Sequence, residues 1–356
     1  MKNRKTNIEL LRIIAMLLII SFHCVIKGGY IFKELNLNSY IIKIFSFGGE
    51  IGVNIFFLIS GYFLVNKKSK FNLTKLLKLI IEVEFYNIIL LIIGYRINFF
   101  SEYTIKDTII IFFPIIFNRY WFIEVYIILY TLEDYIKKFI IQLNEQEHKK
   151  LIIICLILWS VIPTIFGIFV NSSESTMYYS RLTWGLVMYL IGSYINIYRD
   201  KFKINIKKLT YFSLITFTIL ISTIYIFYKF LPFFTEIGTT NITYFWTPNN
   251  IFTISLSISI FLIFFNLKIK NNIIVNKIAS TTFGIYLLHD GILWSVLWKK
   301  VLKSEFYLNS ENSVYFILIS TIIIFIMGVI FDLLRQEIEL LVIKKFKHQQ
   351  KKSCVQ

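Results

Sequence analysis

Charge is scarce in this sequence. Only 17% of its 356 residues are charged, against about 25% in soluble domains, and the shortfall excludes an ordinary water-exposed surface over most of the chain. Acid is scarcer still: 21 Asp and Glu stand against 38 Lys and Arg, for a net charge of +17. That excess does not mark a nucleic-acid binder, because the basic residues sit in short clusters between apolar runs, the pattern that orients membrane proteins. Cysteine is limited to Cys24, Cys155 and Cys354. They are too scattered for a disulfide framework or a metal site, so they read as small apolar fillers and no metal is expected. There is no visible repeat of the inverted kind found in many transporters. The longest connections, near 136–149 and 231–249, are too short to fold alone, so no soluble domain of any size is expected.

What the chain has in abundance is hydrocarbon. It is 56% hydrophobic and 18% aromatic, with 36 Phe and 22 Tyr. A bilayer core takes roughly twenty mostly apolar residues in a helix. Such runs fall at 7–27, 48–66, 76–97, 117–135, 150–170, 182–198, 209–230, 250–267, 279–298 and 313–334. The pattern predicts an all-α, polytopic integral membrane protein of about ten transmembrane helices. The stretch 105–118 is apolar but shorter and broken by Pro114, which suits a re-entrant or interfacial piece. The first run has no small-residue cleavage site and more apolar runs follow it, so it is not expected to be a cleaved signal peptide. With the N-terminus inside, the basic clusters concentrate on its side of the bilayer, which places both termini in the cytoplasm. Residues 1–335 are then one transmembrane domain and 336–356 a basic cytoplasmic tail.

Ionisable side chains within a bilayer are costly, so each is a functional candidate. Of four histidines, His148 and His348 fall in segments expected to be cytoplasmic, while His23 and His289 fall inside apolar runs. Arg12, Glu124 and Asp290 are also inside such runs, with Glu9 nearer an interface. Arg12 and His23 are eleven residues apart, which on a helix puts them about 20° apart in azimuth and about 16 Å apart along the axis. They share a face, with Glu9 one turn below Arg12 and placed to neutralise it. Two roles fit this spacing. Either Arg12 snorkels to the interface and His23 hydrogen-bonds a neighbouring helix, or both serve one site. Neighbours on a helix point about 100° apart, so His289 and Asp290 need not touch, and His289 suits either a structural or a supporting catalytic role. Glu124 serves a site or pairs with Arg119. Asp332 and Arg335, one turn apart, read as a structural pair, and Gly61, Gly192 and Gly284 as helix-packing positions. Arg181 heads the sixth run, at the expected outer interface.

The segment NIELLRIIAMLLIISFH, with ten residues between Arg12 and His23, resembles the opening helix of the membrane-bound acyltransferase 3 family. GVNIFFLISGYFL resembles the family's second-helix pattern through Phe56, Phe57, Ser60, Gly61 and Tyr62. STTFGIYLLHD resembles its ninth-helix signature, with Tyr286 one turn before His289. The three matches lie in register over most of the chain. The resemblance implies an O-acyltransferase that moves an acyl group, acetyl above all, from acyl-CoA on the cytoplasmic side to a hydroxyl of a capsule-like, cell-surface or lipid-linked polysaccharide. It implies a bacterial cytoplasmic membrane, His23 and Arg12 as catalytic residues, and His289, Glu124 and Glu9 in possible support. No bound cofactor is implied, since acetyl-CoA is a co-substrate. Where the family often carries Arg-x-x-Arg to hold that donor, this chain has Lys75 and Lys78, which keep the charge but lose the planar fork. Where some members have Trp-Ser-Leu and then Glu, this chain departs from the pattern, with RYWFIEVY putting Glu124 three residues after Trp121.

The residue types suit the chemistry. Acyl transfer to a hydroxyl needs a base for the proton and a donor for the oxyanion, and histidine titrates near neutrality. The expected partners are acyl-CoA, an envelope glycan and the lipid bilayer, not nucleic acid. The alternative is a polysaccharide exporter, flippase or other transporter without acyl transfer.

Overall fold

A computed structural model describes residues 4–30, 36–65, 71–101, 103–167, 177, 179–230, 246–308 and 310–353. All regular structure among the described residues is helical. Helices α1 (Thr6–Gly28), α2 (Leu37–Leu64) and α3 (Leu73–Arg96) lead to the shorter α4 (Ile105–Phe112), α5 (Trp121–Thr131) and α6 (Glu133–Gln142). Then come α7 (Glu145–Leu156), α8 (Ile162–Phe166), α9 (Arg181–Ile197), α10 (Ile206–Phe230) and α11 (Ile251–Asn266). The chain closes with α12 (Ile273–Ala279), α13 (Thr282–His289) and α14 (Ser313–Ser353). The chain is an all-α, multi-pass membrane protein.

Five stretches among the described residues are long and apolar enough to cross a bilayer: Thr6–Gly28, Leu37–Leu64, Glu145–Phe166, Ile206–Ile226 and Ser313–Val342. The runs at 182–198 and 250–267 are the single helices α9 and α11, while the others take shapes that hydropathy does not show. The run at 76–97 is α3, but Lys75, Lys78, Glu82 and Glu84 charge its first half. The run at 117–135 divides into α5 and α6 at Leu132. The run at 279–298 is broken, since α13 ends at His289 and a π-helical turn follows at Val296–Val301. Over 105–118 the helix is only the eight residues of α4. That is about 12 Å of a core of about 30 Å, too short to cross. At the far end α14 continues through Arg335 as far as Ser353. Residues 231–245 and Cys354 lie outside the described residues.

Small residues set the helix register. Along α1 and α2, Gly49 lies against Phe22 and Gly52 against the Ala15 backbone, so the two helices run antiparallel. At Gly61 an added methyl would run into the Tyr189 backbone of α9, and at Gly192 into the carbonyl of Leu58. Trp184 Nε1 donates to Asn54 Oδ1 at 2.9 Å, and Asn196 Nδ2 donates to the Tyr62 carbonyl. Contacts at 54, 61 and 62 on α2 thus meet 184, 189 and 196 on α9, and these two helices run parallel. Without a hydrophobic drive between helices in lipid, such close approach supplies the packing.

A polar strap ties α3, α13 and α14 together. Asp332 is fully buried and accepts from Tyr86 Oη at 2.7 Å, Arg335 Nε at 2.6 Å and Gln336 Nε2 at 2.7 Å. Arg335 also reaches Glu82 at 2.9 Å, and Gly284 leaves the room in which Tyr86 and Asp332 meet. The Asp332–Arg335 pair is therefore structural. His148 is fully buried, its Nε2 lying 3.2 Å from the Leu190 carbonyl of α9. It packs helix α7 onto α9 rather than lying free in a connecting segment.

Candidate functional site

Arg12 and His23 stand on one face of α1, as their spacing requires, and both line a single cavity of about 450 Å³. Phe63 and Leu64, at the end of α2, line it beside Arg12, whose guanidinium lies 5.8 Å from the Phe63 ring centre. Glu50, Trp121, Arg181 and Tyr286 also line it, with apolar side chains such as Met16, Val53 and Phe56 between. The cavity therefore has a cationic Arg12 end, an apolar middle and a His23 end.

At the Arg12 end, Glu9 is buried and its Oε2 lies 3.7 Å from Arg12 Nη1 and 3.3 Å from Arg4 Nη1. The carboxylate that the sequence placed one turn below Arg12 does pair with it, but it is shared with Arg4, so this end keeps a net positive charge. Arg12 Nε has no hydrogen-bond partner among the described residues. A buried polar group left in that state costs about 1–3 kcal/mol, which invites a ligand to satisfy it.

At the other end two histidines from distant parts of the chain meet. His23 Nδ1 lies 3.0 Å from His289 Nε2, and His289 Nδ1 lies 2.6 Å from the Ile285 carbonyl one turn back on α13. A carbonyl only accepts, so His289 carries its proton on Nδ1. In the neutral ring its Nε2 then holds the lone pair and accepts from His23 Nδ1–H. His23 Nε2 is left unprotonated, with no hydrogen-bond partner among the described residues, on a side chain that lines the cavity. That is the tautomer a general base requires.

Asp290 completes the group. Its Oδ1 lies 3.8 Å from His23 Nδ1 and forms an ion pair with Lys27. In a continuous helix His289 and Asp290 would diverge. Here α13 ends at His289 and Asp290 is its C-cap with φ −100° and ψ 0°, so both turn toward α1. Sequence reasoning missed Lys27, although its place four residues after His23 was a usable signal. It also missed Glu50 as a lining residue, because nothing in the α2 pattern sets that carboxylate apart.

The other candidates lie away from the cavity. The Glu124 carboxylate forms no hydrogen bond or ion pair with any described residue, and Arg119 donates to the Gly291 carbonyl at 3.3 Å rather than to Glu124. Lys75 and Lys78 are exposed on the first turns of α3, with Lys78 Nζ 3.6 Å from Glu339. Leu79, the next residue, lines the cavity. The lysines thus flank its Arg12 end from outside. Among the described residues no cluster of His, Cys, Asp and Glu is arranged to hold a metal ion.

A family model described as an acyltransferase domain matches residues 5–332. No curated protein and no solved structure matches the chain.

Proposed function

The chain belongs to the acyltransferase 3 family and is a membrane acyltransferase, and we propose that it moves an acyl group, acetyl above all, from acyl-CoA to a hydroxyl of a cell-surface or lipid-linked polysaccharide. The observation that carries this proposal is the unprotonated Nε2 of His23 facing a cavity whose other end holds Arg12. The Arg12 end faces the cytoplasm of a bacterial cell, since the basic clusters fall on that side. Acyl-CoA enters there. Its phosphates stay outside with Lys75 and Lys78, and its pantetheine arm passes Arg12 toward His23, about 16 Å further along α1.

The acceptor hydroxyl meets the thioester at the His23 end. His23 Nε2 takes the hydroxyl proton as the acceptor oxygen attacks the thioester carbonyl. The new carbon–oxygen bond forms and charge collects on the carbonyl oxygen. When that intermediate collapses, the carbon–sulfur bond breaks and the leaving thiolate takes the proton back from His23. During the step the imidazolium is steadied by His289 Nε2 and by the Asp290 carboxylate. A general base of this kind contributes about a hundred- to ten-thousandfold in rate.

The test is release of free CoA thiol from acetyl-CoA by membranes containing the chain, with and without added envelope glycan. Mass spectrometry of the glycan then looks for the added acetyl group. Glycan-dependent thiol release supports the proposal. Glycan export without consumption of acetyl-CoA would favour a transporter.

A further inference from the structure

The His23 end of the cavity contains a second cation that the acyl-transfer chemistry leaves without a task. Arg181 is the first residue of α9, capped by Ser180, whose Oγ accepts from Thr183 N at 3.0 Å. Its guanidinium carbon lies 4.4 Å from the centre of the Trp121 ring at the head of α5. It has no hydrogen-bond or ion-pair partner among the described residues, although Glu50 also lines this cavity. The other arginines around the site differ. Arg12 meets Glu9, Arg119 meets the Gly291 carbonyl, and Arg335 meets three carboxylates.

Helix register places Arg181 at the level of the chemistry. Trp184 bonds Asn54, so Arg181, almost one turn earlier, stands beside the stretch of α2 near Glu50. That stretch packs against Phe22 through Gly49, and His23 is the next residue of α1. Tyr286, from α13, lines the same cavity, and its hydroxyl is buried with no hydrogen-bond partner among the described residues. This end therefore offers a planar cation over an indole, unpaired among the described residues, beside an unused buried hydroxyl. An unpaired guanidinium lining a largely apolar cavity draws anions, and its fork matches the two oxygens of a carboxylate or phosphate.

Resting on the acyl-transfer function above, we infer that this end is an acceptor subsite for a sugar bearing an anionic oxygen group, carboxylate or phosphate, which Arg181 grips while the sugar hydroxyl is presented to His23. The anion belongs to the acceptor and not the donor, because the donor's phosphates are held at the opposite end.

Binding tests this without depending on turnover. The full chain in lipid nanodiscs is titrated with methyl glucuronoside, glucose 1-phosphate and methyl glucoside by isothermal calorimetry. The wild type should bind at least one acidic sugar about tenfold or more tightly than the neutral one, the scale of a charge-assisted hydrogen bond. The tighter of the two acidic sugars identifies carboxylate or phosphate. Arg181→Gln should erase the preference, and Arg181→Lys should keep part of it. No preference in the wild type, including no binding of any sugar, would overturn the inference, as would a preference that survives Arg181→Gln. In membranes, Arg181→Gln should raise the acceptor KM and leave the acetyl-CoA KM unchanged. A raised acetyl-CoA KM with an unchanged acceptor KM would assign the arginine to the donor and overturn the inference. Failure of the wild type to release thiol with any glycan would count against the transfer reaction, while the sugar preference is read separately.

Discussion

His289 Nε2 lies 3.0 Å from His23 Nδ1, and the two residues are 266 positions apart in the chain. Because the Ile285 carbonyl claims the His289 Nδ1 proton at 2.6 Å, this one contact decides which His23 nitrogen is free to accept a proton. Which His23 nitrogen is left open is thus decided by a residue on another helix.

His23→Ala is expected to abolish transfer, a fall of about a hundred- to ten-thousandfold, while the protein still inserts and accumulates. The measurement is glycan O-acetylation in cells carrying each variant, normalised to membrane protein level. Wild-type acetylation from a well-expressed His23→Ala protein would leave His23 with a structural role.

His289→Gln should keep an acceptor for His23 Nδ1–H through its amide oxygen and retain part of the activity, whereas His289→Leu should lose at least about tenfold, or 1.4 kcal/mol of barrier. A positioning residue must also alter the pH dependence of its partner. The acidic limb of the kcat/KM profile should therefore move in His289→Leu but stay near its wild-type position in His289→Gln. An unchanged profile in both, with full activity, would remove His289 from the mechanism.

Arg12→Lys should outperform Arg12→Ala, because Lys keeps the charge facing Glu9 without the planar fork. In Arg12→Ala the buried Glu9 keeps, among the described residues, only Arg4 as an ion-pair partner. Both activity and the yield of folded protein should then fall, and quantifying the two together separates chemistry from stability.

Neutralising Lys75 and Lys78 together should raise the acetyl-CoA KM by roughly ten- to a hundredfold, on the scale of about 1–3 kcal/mol per charged contact, with little change in acceptor KM. Replacing both by Arg should preserve activity. Since both lysines are exposed, thermal stability in detergent should not change. Equal effects on both substrates would mean that the pair does not hold the donor.

Gly61→Ala should destabilise the protein by about 1–3 kcal/mol, the usual cost of overpacking, because the added carbon meets the Tyr189 backbone and not a movable side chain. Thermal unfolding in detergent should show a lowered Tm. An unchanged Tm would mean that α2 and α9 separate without cost.

The sequence by itself determined the membrane-embedded, all-helical class, since continuous apolar runs of about twenty residues span lipid as helices, whereas barrel strands are half that length and alternate. It determined that Arg12 and His23 share a face, since 3.6 residues per turn leaves no alternative, and that Glu9 lies beside Arg12. Small size within apolar runs also marked Gly61, Gly192 and Gly284 as packing positions. Tertiary structure decided what lies opposite those residues. Only the folded chain brings His289 against His23, turns Asp290 to the same side by ending α13 there, and stands Arg181 on Trp121 beside the cavity. These pairs join segments far apart in sequence, and the apolar runs that carry them look alike to lipid. Hydropathy reports which residues leave water, whereas the glycine-set register between helices decides which of them meet.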